Sequence, residues 1–374
     1  MMASHSDLSD IQRIIRKRVL LRVNLDRARQ FPFMVEQILP SIAVLLENGC
    51  SVCVLAPLGP VLLDPAKSCH GLLPLLMERF DTQVTWLPSL FNVSMKLGRL
   101  YVLENPFKDS RDILCDPSYV GELHENVDVV VHDTLHHLDA NYASSRGLLL
   151  SQSPQTLGLG LQNLEGFNAA MRSSRVGLIL GGESVSWQLR LARSLVHQLS
   201  FVAVGSEVAS VMMGAEPPLL KSLYDDVFQT LALFKKEKVK VLYPVDVVAY
   251  SVESQRNRIC LFQDLDAGEK FYDLGSKSRM RILEHVEDSD VEMVVVSGGM
   301  GRHLDPRFSV CSELLLQALS QSVLKTAIIG RDSIVTANRL SLLDKFSYVV
   351  EGSTLEMAYL TRGESMKSFL FESQ

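Results

Sequence analysis

The feature that most constrains this chain is a rhythm. Short, nearly continuous runs of Val, Leu and Ile alternate with amphipathic stretches, first between Val19 and Val131 and again between Gly177 and Val350. Strands that read this way are apolar on both faces, as in a parallel sheet covered by helices on each side. The first block predicts strands at Val19–Val23, Ser51–Leu55, Val84–Trp86, Leu100–Leu103 and Val127–Val131, with helices at Val35–Asn48 and Leu72–Phe80. Gly49 stands where a left-handed residue ends a helix. The second block predicts strands at Gly177–Leu180, Phe201–Val204, Lys240–Tyr243, Glu292–Val296, Thr326–Ile329 and Tyr348–Val350. Helices fall at Trp187–Gln198, Leu219–Lys236, Ser278–Val286 and Cys311–Ser320. Such alternation calls for parallel α/β sheets, and two blocks call for two doubly wound, Rossmann-like domains.

At 374 residues the chain is long for one core. The polar stretch Ser151–Gln155 separates the blocks, and the following pattern predicts a joining helix over Thr156–Met171. The expected organisation is an N-terminal domain at 1–155, a linking helix at 156–172, a C-terminal domain at 173–350 and a tail at 351–374. A hydrophobic content of 47% with 21% charged residues fits a well-buried protein. The net charge of -6 argues against a general nucleic-acid partner, which needs basic surface for phosphates.

Six cysteines make no disulfide framework in a chain of this length, which fits a reducing compartment. The Cys50/Cys53 pair lies inside a strand, and no second pair completes a zinc site. His132, His136 and His137 with Asp133 and Asp139 are not spaced to converge on a metal. No apolar run reaches the roughly 18 residues of a membrane span. Arg13, Arg16, Lys17 and Arg18 are accompanied by Asp7 and Asp10, unlike an acid-poor transit peptide, and the ending Glu372–Ser373–Gln374 is no peroxisomal signal. The default expectation is a cytoplasmic or cytosol-facing protein, with a mitochondrial or peroxisome-related compartment left open.

Four strands of the second block run into glycine: at Gly181 and Gly182, at Gly205, at Gly298 and Gly299 after Ser297, and at Gly330. Glycine at a strand's carboxyl end lets backbone approach a ligand, and four such corners in one half point to a nucleotide-type pocket.

On these segments the chain resembles the phosphoglycerate kinase family from about Lys17 to Lys367. Leu20–Val23 is similar to that family's first strand, Leu103–Asn105 to its Leu-Glu-Asn segment, Leu180–Gly182 to its Leu-Gly-Gly corner, and Val294–Gly301 to its strand ending Asn-Gly-Pro-Met-Gly. The resemblance implies a phosphoglycerate kinase fold with 3-phosphoglycerate bound by an N-terminal basic patch and Mg-ATP or Mg-ADP bound by the C-terminal half. It also implies a tail returning to the N-terminal domain.

The charges that such chemistry needs are largely replaced. The family's Arg-Val-Asp-Phe-Asn is Arg22–Val23–Asn24–Leu25–Asp26, which keeps Arg22 and exchanges acid and amide at Asn24 and Asp26. Four arginine positions fall on Met34, Pro60, Phe107 and Ala140, while Asp133 is kept. The two lysines of the Gly-Gly-Ala-Lys-Val-Ser-Asp-Lys segment fall on Ser184 and Gln188, and Glu183 adds an anion. The ribose-binding Glu position falls on Leu304, or on Asp305 if the alignment slips. Ser297 replaces an Asn, the loop after Gly330 is short, and Asp332 matches a metal-facing acid.

Phosphoryl transfer demands cations placed in advance around the moving oxygens. The expectation is therefore a catalytically degenerate relative that serves as a structural or assembly subunit, with protein partners, no resident cofactor and little call for a small-molecule substrate. Residual substrate contacts would be Arg22, Asn24, Asp26 and Asp133; residual nucleotide contacts would be Gly181, Gly182, Gly205, Ser297, Gly298, Gly330 and Asp332. Two alternatives stand beside it: a divergent kinase acting between 1,3-bisphosphoglycerate and ADP, and a regulator that binds nucleotide without transferring phosphate.

Overall fold

The computed structural model describes residues 11–28, 30–59, 67–80, 84–214, 221–266, 268–302 and 305–371. The chain divides into two compact units, Met1–Leu164 and Glu165–Gln374.

The N-terminal unit carries β1 (Arg18–Arg22), α1 (Phe33–Glu47), β2 (Ser51–Leu55), α2 (Leu73–Arg79), β3 (Val84–Leu87), β4 (Leu100–Leu103), α3 (Ser110–Ile113), α4 (Pro117–Glu125), β5 (Val129–His132) and β6 (Gln155–Leu157). Its six strands form one parallel sheet in the order β3-β4-β2-β1-β5-β6. Every residue of β2, β4 and β5 is buried, as their double-sided apolar sequence requires. Gly49 has φ of 71° and ends α1 as the sequence predicts. β6 starts on the last residue of the polar break and takes up the first residues of the expected joining helix, and at three residues it is too short to leave an apolar signature. Accordingly the next helix, α5 (Leu159–Ser173), starts later than the sequence predicts. The boundary between the two units falls within it.

The C-terminal unit continues with β7 (Val176–Leu180), α6 (Val185–Ser194), β8 (Leu199–Val204), α7 (Ser206–Met212), α8 (Lys221–Lys236) and β9 (Lys240–Leu242). After β10 (Asp246–Ser251), β11 (Arg256–Leu261) and β12 (Glu269–Leu274) come α9 (Ser276–Asp288), β13 (Met293–Ser297), α10 (Val310–Ser320), β14 (Lys325–Ile329), α11 (Arg331–Arg339), β15 (Tyr348–Val350), α12 (Thr354–Arg362) and α13 (Met366–Phe371). The main sheet is parallel in the order β15-β14-β13-β7-β8-β9. A separate antiparallel sheet, β11-β10-β12, is an addition to the sequence reading. β11 is exposed at five of its six positions, so no burial rhythm marks it. α12 packs on α6 within this unit.

In both main sheets the connections reverse direction beside the first strand: between β1 and β5 in one, and between β7 and β13 in the other. Ligands of open α/β sheets bind beyond the strands' carboxyl ends at such reversals.

Candidate functional site

At the reversal of the C-terminal sheet two glycine corners meet backbone on backbone. A Cβ at Gly181 would lie 2.1 Å from the Gly299 carbonyl oxygen, and one at Gly298 would lie 2.4 Å from that of Gly181. Gly182, Gly298 and Gly330 also have φ of 75°, 80° and 94°, which side chains resist. The sequence-predicted corners therefore come together. Their amides, however, bond neighbouring strands. Gly181 N–H donates to Ser297 O (2.9 Å), Gly182 to Gly299 O (2.8 Å), Gly205 to Leu180 O (2.8 Å), Gly298 to Ile329 O (3.1 Å) and Gly330 to Val350 O (2.9 Å). Ser297 is buried at the end of β13.

A cavity of about 650 Å³ opens beside these corners. Its lining includes carboxylates: Glu183 just before α6, and Glu207 and Asp332 in the first turns of α7 and α11. Acids there complement the positive helix ends, taking the electrostatic place a phosphate would occupy. It also includes Tyr250 and Tyr272 of the antiparallel sheet, whose rings pack with Phe308 at centroid distances of 4.8–5.2 Å. Arg302 lies 4.5 Å over the Tyr272 ring. Arg307 lies 5.2 Å over Tyr250 and pairs with Asp305 at 2.7 Å, which holds the Asp305 carboxyl below its usual range. The described lining thus sets two arginines against four carboxylates. Glu183, Asp305 and Asp332 were singled out in the sequence; Tyr250, Tyr272, Arg302 and Arg307 were not, because β10–β12 was not read there, and the paired Phe271–Tyr272 and the Arg307–Phe308 step were the available signals.

The lysine positions give no replacement. Ser184 is exposed, while Gln188 is buried with its side-chain carbonyl oxygen lacking a hydrogen-bond partner. Leu304 lies outside the described residues; Asp305 lines the cavity. These residues do not fit a magnesium-bound di- or triphosphate. A carboxylate about 5 Å from a phosphate oxygen opposes it by about 3 kcal/mol at an effective dielectric of about 20. Asp332 is the acid that could face a metal, and no group of three or more His, Cys, Asp or Glu among the described residues could hold one.

In the N-terminal unit the charges of Arg22 and Asp133 turn inward. Arg22 is fully buried at the end of β1. Its guanidinium donates to His136 O (2.7 Å), Ser144 O (3.0 Å) and Ser145 Oγ (3.1 Å), tying down the loop after β5. Burial lowers its pKa to about 10 despite the fields of Asp112 and Asp139. Asp133 is buried between Gly158 and Gly160, where a side chain on either glycine would collide with it. Its Oδ1 accepts from Ser41 Oγ (2.7 Å) and Gly160 N–H (2.9 Å), which anchors the start of α5 on α1. Burial raises this carboxyl to about 6. Asn24 Oδ1 accepts from Asp26 N–H (3.2 Å), and Asp26 pairs with Lys67 at 3.4 Å. Met34 and Phe107, at positions that the resemblance assigns to arginine, are core residues, Phe107 lying edge-on to Tyr142 at 4.7 Å. Pro60 lies outside the described residues.

Comparison with known proteins matches this arrangement to one family. A family model described as phosphoglycerate kinase matches residues 8–362. The chain is 26% identical to the phosphoglycerate kinase of Herpetosiphon aurantiacus over 373 residues, covering 92% of this chain and 93% of that one. It is 27% identical to that of Lactobacillus delbrueckii subsp. bulgaricus over 353 residues, covering 86% and 87%. Solved structures of phosphoglycerate kinase from Coxiella burnetii and Pyrococcus horikoshii superpose with TM-scores of 0.75 and 0.77 at 19% and 18% identity, each over 96% of this chain and 97% and 98% of theirs.

Proposed function

The chain belongs to the phosphoglycerate kinase family, and we propose that it is a member that has given up phosphoryl transfer and serves as a protein subunit of a larger assembly. The observation that carries this reading is the phosphate corner itself. Its backbone shape is retained, its glycine amides are bonded to neighbouring strands, and Glu183, Glu207 and Asp332 surround it. Losing one preorganised donor costs a transition state about 2.7–4 kcal/mol. Here both lysine positions of the corner are uncharged, at Ser184 and Gln188. The N-terminal unit agrees: Arg22, the retained arginine, has its donors committed to the loop after β5.

A steady-state coupled assay with 3-phosphoglycerate and Mg-ATP tests the catalytic half of the proposal. No product above the protein-free rate is expected; turnover in the ordinary kinase range of about 1–100 s⁻¹ would end it. The assembly half is supported by exposed apolar surface on α8, where Phe228 is 76% and Tyr224 52% exposed one helical turn apart. Sedimentation of a native extract should place the chain well above its own 41.6 kDa, and a monomer-sized species alone would contradict it. No helix among the described residues is long and apolar enough to cross a membrane, and we assign the protein to the cytoplasm or a cytosol-facing assembly.

A second reading, a divergent kinase or nucleotide-binding regulator, is favoured by Asp332 at the α11 N-terminus and by the intact glycine corners. The same assay separates a kinase from the first reading.

A further inference from the structure

α8 packs on α6, and its Val227, Thr230 and Phe234 are buried. Its outward face carries the two exposed rings, Tyr224 and Phe228, one turn apart, and the exposed Ala232 one turn further on. Charges frame this stripe. Asp225 stands near one end and Lys235 and Lys236 at the other, all exposed. Asp225 and Lys236 are about three turns apart on one flank, and Tyr224 and Lys235 are about three turns apart on the other. The lysines suit the negative end of α8 by themselves, but two neighbouring rings in water do not.

The stripe is complementary to itself. A two-fold axis level with Thr230 runs a second α8 antiparallel to the first, in an isologous contact. Phe228 then packs over the small Ala232 of the copy, Asp225 faces its Lys236, and Tyr224 meets its Lys235 as a ring meets a cation. Lys236 also lies 3.9 Å from Glu237, an exposed contact that yields readily. A parallel copy would set Asp225 on Asp225 and lysine on lysine, which repel.

We propose that α8 is the surface through which two copies of this chain form an antiparallel, two-fold dimer. The proposal rests on the assembly reading above and names a partner within it, a second copy. One helix–helix contact is small for an interface, so the dimer dissociates in the micromolar range.

Sedimentation equilibrium of the purified full chain between about 1 and 200 µM tests the proposal. The mass should rise with concentration from 41.6 kDa toward twice that value. Phe228→Glu, at a solvent-facing position, should weaken association by about thirtyfold or more. Asp225→Lys alone should weaken it by about fivefold or more, and Asp225→Lys combined with Lys236→Asp should return it to within about threefold of the parent. Circular dichroism checks that each variant is folded; if Phe228→Glu is not, the charge reversal carries the test. A monomer at every concentration, folded Phe228→Glu associating like the parent, or a reversed pair no better than Asp225→Lys alone would each overturn the proposal. A purified monomer that sediments as a large species in native extract sinks the dimer and leaves the assembly reading standing. Product formation in the coupled assay ends the no-transfer reading and leaves the dimer untouched.

Discussion

Arg22 has no exposed surface, and its meaning lies in what its donors reach. Three of its contacts are to the loop after β5, so its loss strands buried carbonyls rather than a substrate. Arg22→Met should lower stability by about 3 kcal/mol or more, read as a fall in the urea midpoint of the N-terminal unit. An unchanged midpoint would contradict the structural role. Asp273 supplies a pH prediction of the less common sign. Its carboxylate accepts from Leu274 N–H (2.9 Å) and Cys311 N–H (3.0 Å), yet burial raises it from 3.8 to about 7. Between pH 3.8 and about 7 the folded state holds a proton that the unfolded chain has released. Stability from this group is present at low pH and falls as pH rises through that window. Asp273→Asn should therefore lose most relative to the parent near pH 4 and least above pH 7, measured by urea unfolding across the range; a difference growing with pH would contradict it. The identity of these positions was legible in the sequence, but their direction was not. Arg22 and Asp133 look alike as motif residues whether they face a ligand or a loop, and only the packing of the 133–147 segment and of α5 decides.

Elements built from continuous apolar runs were legible, because β2, β5, β7 and β13 are buried on both faces and nothing else reads that way. β11 escaped because its pairing with β10 leaves it largely exposed. With it went the aromatic wall of the cavity, although Tyr250, Phe271 and Tyr272 were visible as letters. The glycine corners were legible as turns, whereas their contact across β7 and β13 depends on strand order. That contact predicts that Gly298→Ala costs about 2 kcal/mol or more, since it adds a Cβ 2.4 Å from Gly181 O at φ of 80°. Ser206 offers the opposite test. It opens α7 at φ of 48°, a conformation glycine adopts freely, so Ser206→Gly should leave the melting temperature unchanged or raise it by the equivalent of about 1 kcal/mol. A clear loss would show that the Ser206 side chain holds the corner.

At the scale of the molecule, the family's fold is kept, and the proposal is that its chemistry is not. The two doubly wound units retain the family's topology over nearly the whole chain. That survival is expected, because a parallel sheet is specified by many interchangeable Val, Leu and Ile residues. A phosphate site depends on a few cations at fixed points, and two of the positions that the resemblance assigns to arginine serve a local need here. Met34 and Phe107 fill core, and the acids of α7 and α11 complement helix ends. The most direct measurement is a single-turnover experiment, with the full chain in excess over 1,3-bisphosphoglycerate and Mg-ADP, quenched over seconds to minutes and assayed for ATP. The account predicts ATP formation no faster than in buffer alone. ATP appearing at a rate proportional to protein, and abolished by Asp332→Ala, would contradict it.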